Sequence, residues 1–251
     1  MASTGTQAVD RAAHLVALVV RADRPASFSD LCLETGMPRS TTSRLLAALE
    51  RSALLGRDDS GAWVAGSLFS HFAAHQGRDE ELAQLAQPVI EHLRVLTGET
   101  VNVGVARGGE VVHIAQVAGT FMLASRDWIG VQVPPHLSAL GKVLYAERVL
   151  DPPVGRLARP TKAAVATTAA LRAQLPGIRA RGYATTVDEL EVGLTGVAAP
   201  VIVDGKCIAA LGVSGPSARL ADQLSTLGPT VLRAARTLSD QISRHRKDGA
   251  A

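Results

Sequence analysis

Only two cysteines occur in the 251 residues, Cys32 and Cys207, far apart and with no second metal ligand near either. That spacing argues against a disulfide framework and a cysteine-based zinc site, and points to buried thiols in a reducing compartment. No apolar run approaches the ~18 residues that a membrane span needs. The start of the chain lacks the cationic, apolar and small-residue order of a secretory leader, so a cytoplasmic protein is expected. A dominant charge is missing too: 26 Lys and Arg stand against 23 Asp and Glu, a net +3 that permits an acidic partner without demanding one. No internal repeat is visible. What remains is a globular composition, 47% apolar and 20% charged, long enough for one large domain or two small ones.

Catalytic constellations are scarce as well. His136 and Ser138 stand close together, but a triad also needs an orienting acid and an oxyanion hole, and nothing in the sequence supplies either. His136 reads better as a satisfied structural histidine. Asp188, Glu189 and Glu191 are neighbours on one turn, where solvated or capping carboxylates are expected. No His, Cys and carboxylate set has metal-ligand spacing, so neither metal nor cofactor is expected.

Against these absences stands one informative stretch, from Ser27 to Arg57. Ser27 followed three residues later by Asp30 is spaced as a capping box, with Phe28, Leu31 and Leu33 as the apolar set of a first helix. Gly36-Met37-Pro38 ends it: glycine takes the positive φ of a helix stop, and proline suits the first turn of the next helix. That helix, about Arg39 to Arg51, sorts its side chains when wheeled at the helical period. Thr42, Leu45, Leu46 and Leu49 fall on one side; Ser40, Arg44, Ala47 and Arg51 fall on the other. A face of small, hydroxylic and guanidinium groups suits a major groove, where arginine pairs bidentately with guanine and hydroxyls bond phosphates or bases. A solvated helix face is the plainer reading of the same arginines. The next residues favour the groove, because two short extended runs flank a polar turn over Gly56 to Val64, a β-hairpin that makes the whole a winged helix. Over residues 1–66 seven arginines balance seven acids, so any attraction for DNA comes from placement; Gly36 to Arg57 holds Arg39, Arg44, Arg51 and Arg57 against Glu50 alone.

The rest of the chain changes period. Val9, Ala13, Val16, Ala17 and Val20 predict an amphipathic first helix, and Ser67 to His75 a linker helix whose Leu68, Phe69 and Phe72 need a partner surface. Gln76-Gly77-Arg78 is expected to interrupt, with Asp79 capping a further helix to about Thr97. From Thr100 the period becomes two. Hairpin strands flank Arg107-Gly108-Gly109, one or two further strands are expected over Phe121 to Val133, and a short helix follows from Leu137 to Ala146. Thr168 is expected to cap a helix to Arg181. Strands at 184–187, 197–203 and 207–214, the latter two joined by Asp204-Gly205, precede a last helix from about Ala221. Hairpins bracketed by helices predict an α+β domain around an antiparallel sheet.

Thr35 to Leu46 (TGMPRSTTSRLL) resembles the helix-turn-helix signature of the isocitrate lyase regulator (IclR) family of bacterial transcription factors. Four later blocks are similar to that family in the same order: Pro134 to Lys142, Arg181-Gly182-Tyr183 with Asp188-Glu189 and Gly193, Ala198 to Val201, and Val213 to Pro216. The resemblance implies a winged helix over 1–66, a linker helix over 67–78 and a GAF-like effector-binding domain over 79–251. The partners implied are double-stranded operator DNA, a small organic acid effector and further copies of the chain, as a homodimer or dimer of dimers. DNA contacts are expected from Arg39, Ser40, Thr41, Arg44, Arg51 and Arg57. The effector pocket carried over by motif position is Ala139, Leu140, Gly141, Thr186, Leu194, Gly196, Gly212 and Ser214. Members of the family that bind very small keto acids can carry aspartate, cysteine and serine where this chain has Thr186, Gly196 and Gly212. The smaller groups here predict a roomier pocket, for an aromatic or branched carboxylate held at the start of the Leu137 helix. Two rival readings remain: an enzyme acting on a small carboxylate or ester with the winged helix as an interaction module, and a ligand-blind architectural DNA binder.

Overall fold

A computed structural model of the chain describes residues 4–121, 129 and 133–248. Two compact units divide it, Met1–Arg78 and Asp79–Ala251.

In the first unit, helices α1 (Thr4–Arg21), α2 (Phe28–Thr35) and α3 (Arg39–Arg51) precede a hairpin of β1 (Leu55–Arg57) and β2 (Trp63–Ala65), a winged helix. The capping box forms as expected, with Ser27 Oγ accepting from the Asp30 amide at 3.1 Å and donating to Asp30 Oδ2 at 2.7 Å. Gly36 ends α2 at φ 62°. Leu15, Val19, Leu31, Met37, Leu46, Leu49, Leu55 and Trp63 make the core. Two apolar expectations fail there. The buried stripe of α1 runs through Leu15 and Val19, out of phase with the stripe expected, and Val9 and Val20 lie exposed. An alanine- and valine-rich helix is apolar on more than one side, so periodicity alone does not choose the face. Leu33 is exposed as well, because α2 is too short to turn more than one face to the core.

Helix α4 runs unbroken from Ser67 to Thr97, so the interruption expected at Gln76-Gly77-Arg78 does not occur. A single glycine costs a helix interior only about 1 kcal/mol, which a helix of 31 residues absorbs. Asp79 accordingly caps nothing and pairs with Arg107 instead.

The second unit is built on a five-stranded antiparallel sheet in the order β4-β3-β7-β6-β5. Its strands are β3 (Thr100–Arg107), β4 (Glu110–Val117), β5 (Ala184–Val187), β6 (Leu194–Val203) and β7 (Lys206–Pro216). Both glycines of the β3–β4 turn have positive φ, as do Asp204 and Gly205 between β6 and β7, the backbone that two-residue hairpin turns of matching twist require. Helices cover both faces. On one, the residues of α4 from Leu82 to Leu93 and helix α8 (Leu224–Asp248) enclose Val101, Val103, Val105, Val197, Leu211 and Val213. On the other, α5 (Ala139–Ala146) and α6 (Thr168–Arg181) pack on Ala184, Ala198 and Ala210. A short α7 (Ser217–Leu220) leads into α8. Thr167, not Thr168, caps α6: its hydroxyl accepts from the Ala170 amide at 3.1 Å, while Thr168 donates to the carbonyls of Pro153 and Gly155. The strands expected between Phe121 and Val133 lie largely outside the described residues; Val133 itself bridges to Val111.

Candidate effector cavity and DNA-facing helix

Helix α3 of the winged unit presents the sorted faces expected of it. Thr42, Leu46 and Leu49 are buried, and Ser40, Arg44 and Arg51 are exposed. Pro38 precedes α3 and offers no side-chain cap, and among the described residues the amides of Arg39 and Ser40 donate to nothing. An uncapped helix start of this kind attracts phosphate. The arginines differ in their freedom. Arg39 lies 4.9 Å above the Phe28 ring; Arg57 lies 4.3 Å above Trp63, with its Nε 3.3 Å from Glu50 Oε1. Arg44 and Arg51 have no such partner among the described residues. The wing loop is folded on Asp58, whose Oδ1 accepts from the amides of Ser60 and Ala62 and from the Ser60 hydroxyl; these bonds hold its carboxyl below the usual range.

In the other unit a cavity of about 60 Å³ lies between the sheet and the start of α5. Seven of the eight residues expected from sequence line it: Ala139, Leu140, Thr186, Leu194, Gly196, Gly212 and Ser214. Gly141 does not. A Cβ there would fall 2.1 Å from the Pro135 carbonyl oxygen, so this glycine lets α5 close onto the preceding turn. Its amide is already used, donating to Ser138 Oγ at 2.9 Å. The amides left at the helix start are those of Ala139 and Leu140, which have no acceptor among the described residues.

Nor do the glycines open the room expected of them. A Cβ on Gly212 would meet Leu140 Cδ2 at 3.1 Å, and one on Gly196 would meet Thr186 Oγ1 at 3.1 Å. The neighbours have closed over the missing side chains. At about 60 Å³ the space is well below the ~150 Å³ of an engineered apolar cavity that takes benzene.

Asn102, His113 and Leu190 also line the cavity and were missed. A signal existed: Asn102 and His113 are polar residues set among the valines of β3 and β4. Burial pushes the His113 imidazole down to about 4, so it is neutral at pH 7. Among the described residues the lining holds no lysine or arginine.

The acidic turn departs from the expectation at one residue: Glu191 is exposed and Asp188 half-buried, as solvated or capping carboxylates would be, but Glu189 is not. Glu189 is buried, and both its oxygens accept from Lys142 Nζ, at 2.6 and 2.8 Å, while its carbonyl accepts from Thr161. Burial pushes the Lys142 ammonium down in spite of that partner. Asp188, at φ 57°, accepts from Ser217 Oγ at 2.6 Å and from the Gly193 amide at 2.8 Å, which hold its carboxyl low. Leu190 is thus carried on a loop pinned on both sides, to α5 and to α7. The residues weighed for nucleophilic chemistry are also spent: His136 Nε2 bonds the Ala158 carbonyl at 2.8 Å, and Ser138 caps α5. Among the described residues no three His, Cys, Asp or Glu side chains gather as a metal site would need.

Two sequence profiles match the chain: an IclR helix-turn-helix domain over residues 8–59, and a bacterial transcriptional regulator IclR C-terminal domain over residues 75–244. This protein belongs to the IclR family. It is a transcriptional regulator with a helix-turn-helix DNA-binding unit. Among its IclR-family relatives, the HTH-type transcriptional repressor AllR of Klebsiella pneumoniae is 31% identical over 249 residues, 96% of this chain and 92% of that one. The HTH-type transcriptional regulator BhcR of Paracoccus denitrificans is 32% identical over 246 residues, covering 94% and 88%. An IclR homologue of Microbacterium hydrocarbonoxydans, solved in complex with 4-hydroxybenzoate, superposes with a TM-score of 0.59 at 24% identity, over 95% of this chain and 99% of that one, a likeness of fold. Among the described residues of this IclR-family chain, no helix is long and apolar enough to cross a membrane.

Proposed function

We propose that this IclR-family chain is a repressor whose grip on operator DNA is changed by a small organic acid held in the cavity beneath α5. The observation that carries the reading is the pairing of two helix-start amides, unpartnered among the described residues, with an otherwise neutral lining. Amides at a helix N-terminus bind a carboxylate without a charged side chain, and placed polar groups among apolar walls fix its orientation. Residues 1–66 are assigned to DNA and 79–251 to the effector. Ser40 and Arg44 read bases from α3; Arg39, Thr41, Arg51 and Arg57 serve phosphates. Repression is supported by the relatives named as repressors, and the acid by the 4-hydroxybenzoate of the Microbacterium homologue. A compact acid enters the cavity as it stands. The aromatic or branched acid expected from sequence requires Leu140 to rotate, and Leu140→Ala should then strengthen benzoate binding.

The chain acts in the cytoplasm as a homodimer or dimer of dimers on a palindromic or repeated operator. Leu68 and Phe72 are exposed on α4, and a second copy would cover them. Replacing Phe69 and Phe72 with Ser should lower both the sedimenting mass and operator affinity; an unchanged mass would assign those rings to the monomer. Regulation demands that the acid bind the DNA-competent and incompetent states unequally. The test is anisotropy of a labelled duplex from the DNA flanking the gene, titrated with and without pyruvate, lactate and benzoate. An affinity that no acid alters would leave a ligand-blind DNA binder. The structure favours binding over turnover, since His136 and Ser138 are both held by structural bonds.

A further inference from the structure

The amide of Asn102 is out of place for a purely structural residue. It sits on β3, 3% exposed, in register with Gly212 on one neighbouring strand and Gln116 on the other. Gly212 has no side chain to cover it. Its Nδ2 donates to Ser214 Oγ at 3.2 Å, and its buried Oδ1 has no partner among the described residues. Leaving such an acceptor unmade costs about 1 to 3 kcal/mol. Asn102 also lines the cavity, on the sheet side, whereas the free amides of Ala139 and Leu140 lie at the start of α5 packed over that sheet. One side of the cavity therefore offers donors and the other an acceptor.

We infer that Asn102 is a specificity-determining residue that selects an acid carrying a hydroxyl or N–H group, received at Oδ1 while the carboxylate takes the α5 amides. The inference rests on reading the cavity as an acid site and goes further, to the kind of acid. A 2-hydroxy acid has a hydrogen to give to Oδ1. The 2-keto acid of the same skeleton has none, and would set two acceptors face to face. Charge does not blur the choice: His113 is neutral at pH 7, and no lysine or arginine lines the cavity among the described residues.

The experiment compares pairs that differ only at that carbon, lactate with pyruvate and mandelate with benzoylformate, by calorimetric titration of the full chain. Lactate or mandelate should bind at least about fivefold more tightly than its keto partner, the lower end of what an unmade buried hydrogen bond is worth. In Asn102→Leu the preference should vanish through loss of hydroxy-acid affinity, with keto-acid affinity within about twofold of native. The native comparison stands even where the variant does not fold. Equal or tighter binding of the keto acids by the native chain overturns the inference, because the amide would then be presenting Nδ2. A hydroxyl preference that survives in a folded Asn102→Leu chain moves the selection to another residue and overturns it too. If none of the four acids binds, the acid-site reading itself fails and takes this inference with it.

Discussion

The two units handle polar groups in opposite ways. Of the buried polar and charged residues among those described, only Thr42 belongs to the winged unit, and its hydroxyl is spent on the Pro38 carbonyl. The other unit buries Glu99, Asn102, His113, Lys142 and Glu189. A surface that reads DNA keeps its arginines outside, over a core that is apolar but for Thr42, where each can be exchanged at little cost in stability. A unit that encloses a ligand must carry polar groups inward and satisfy all but those the ligand will meet. Function and stability are thus separable in the first unit and entangled in the second.

The sharpest way to break this contrast is at the Lys142–Glu189 pair. Glu189→Gln strands a buried ammonium and should cost about 3 to 5 kcal/mol, read from urea unfolding, while the double change Lys142→Met with Glu189→Leu recovers most of it. The corresponding surface pair, Arg57 with Glu50, has side chains 50% and 42% exposed, so Arg57→Ala should cost under about 1 kcal/mol. Comparable losses from the two would abolish the distinction.

Next in size is pH. His113 titrates at about 4 in the folded chain, against 6.5 ordinarily. Between those values the unfolded chain binds the proton and the folded chain does not, so stability falls as pH drops from about 6.5 to 4, by up to about 3 kcal/mol, and levels off below. His113→Asn should flatten that part of a urea-midpoint profile against pH. A slope that persists in the variant would assign it to other groups.

Arg44→Ala should cost about 1 to 3 kcal/mol of specific operator affinity and relax selectivity at one base, with thermal stability within about 0.5 kcal/mol of native. If specific and random duplexes lost affinity equally, Arg44 would be a phosphate contact. The smallest effect is expected at Ser27→Ala, about 1 kcal/mol from the lost cap of α2, seen as faster hydrogen exchange confined to the winged unit.

Legibility followed the same division. The α3 faces, the Ser27 cap, the Gly36 stop and the two-residue hairpin turns are local features, and the sequence shows them because their causes lie within a few residues. Misreadings came where a choice between equals was made at long range. On α1, Ala and Val surround the helix, and only packing on Leu46 and Trp63 selected Leu15 and Val19 for the core. Gly77 looked like a break because its local cost is real, yet a long helix outweighs it. Glu189 looked solvated among its acidic neighbours, and Gly196 and Gly212 looked like open space.

From sequence alone the family resemblance, most of the order of the elements and, through that resemblance, seven of the cavity's residues were legible, because turn chemistry, side-chain period and motif blocks are properties of neighbouring residues. Only the tertiary structure decided that Lys142 meets Glu189 across 47 residues, that Leu140 fills the space over Gly212, and that Asn102 keeps an acceptor unmade. Those outcomes depend on which strands become neighbours and in what register, and a change of one residue in that register would turn each side chain to the opposite face of the sheet.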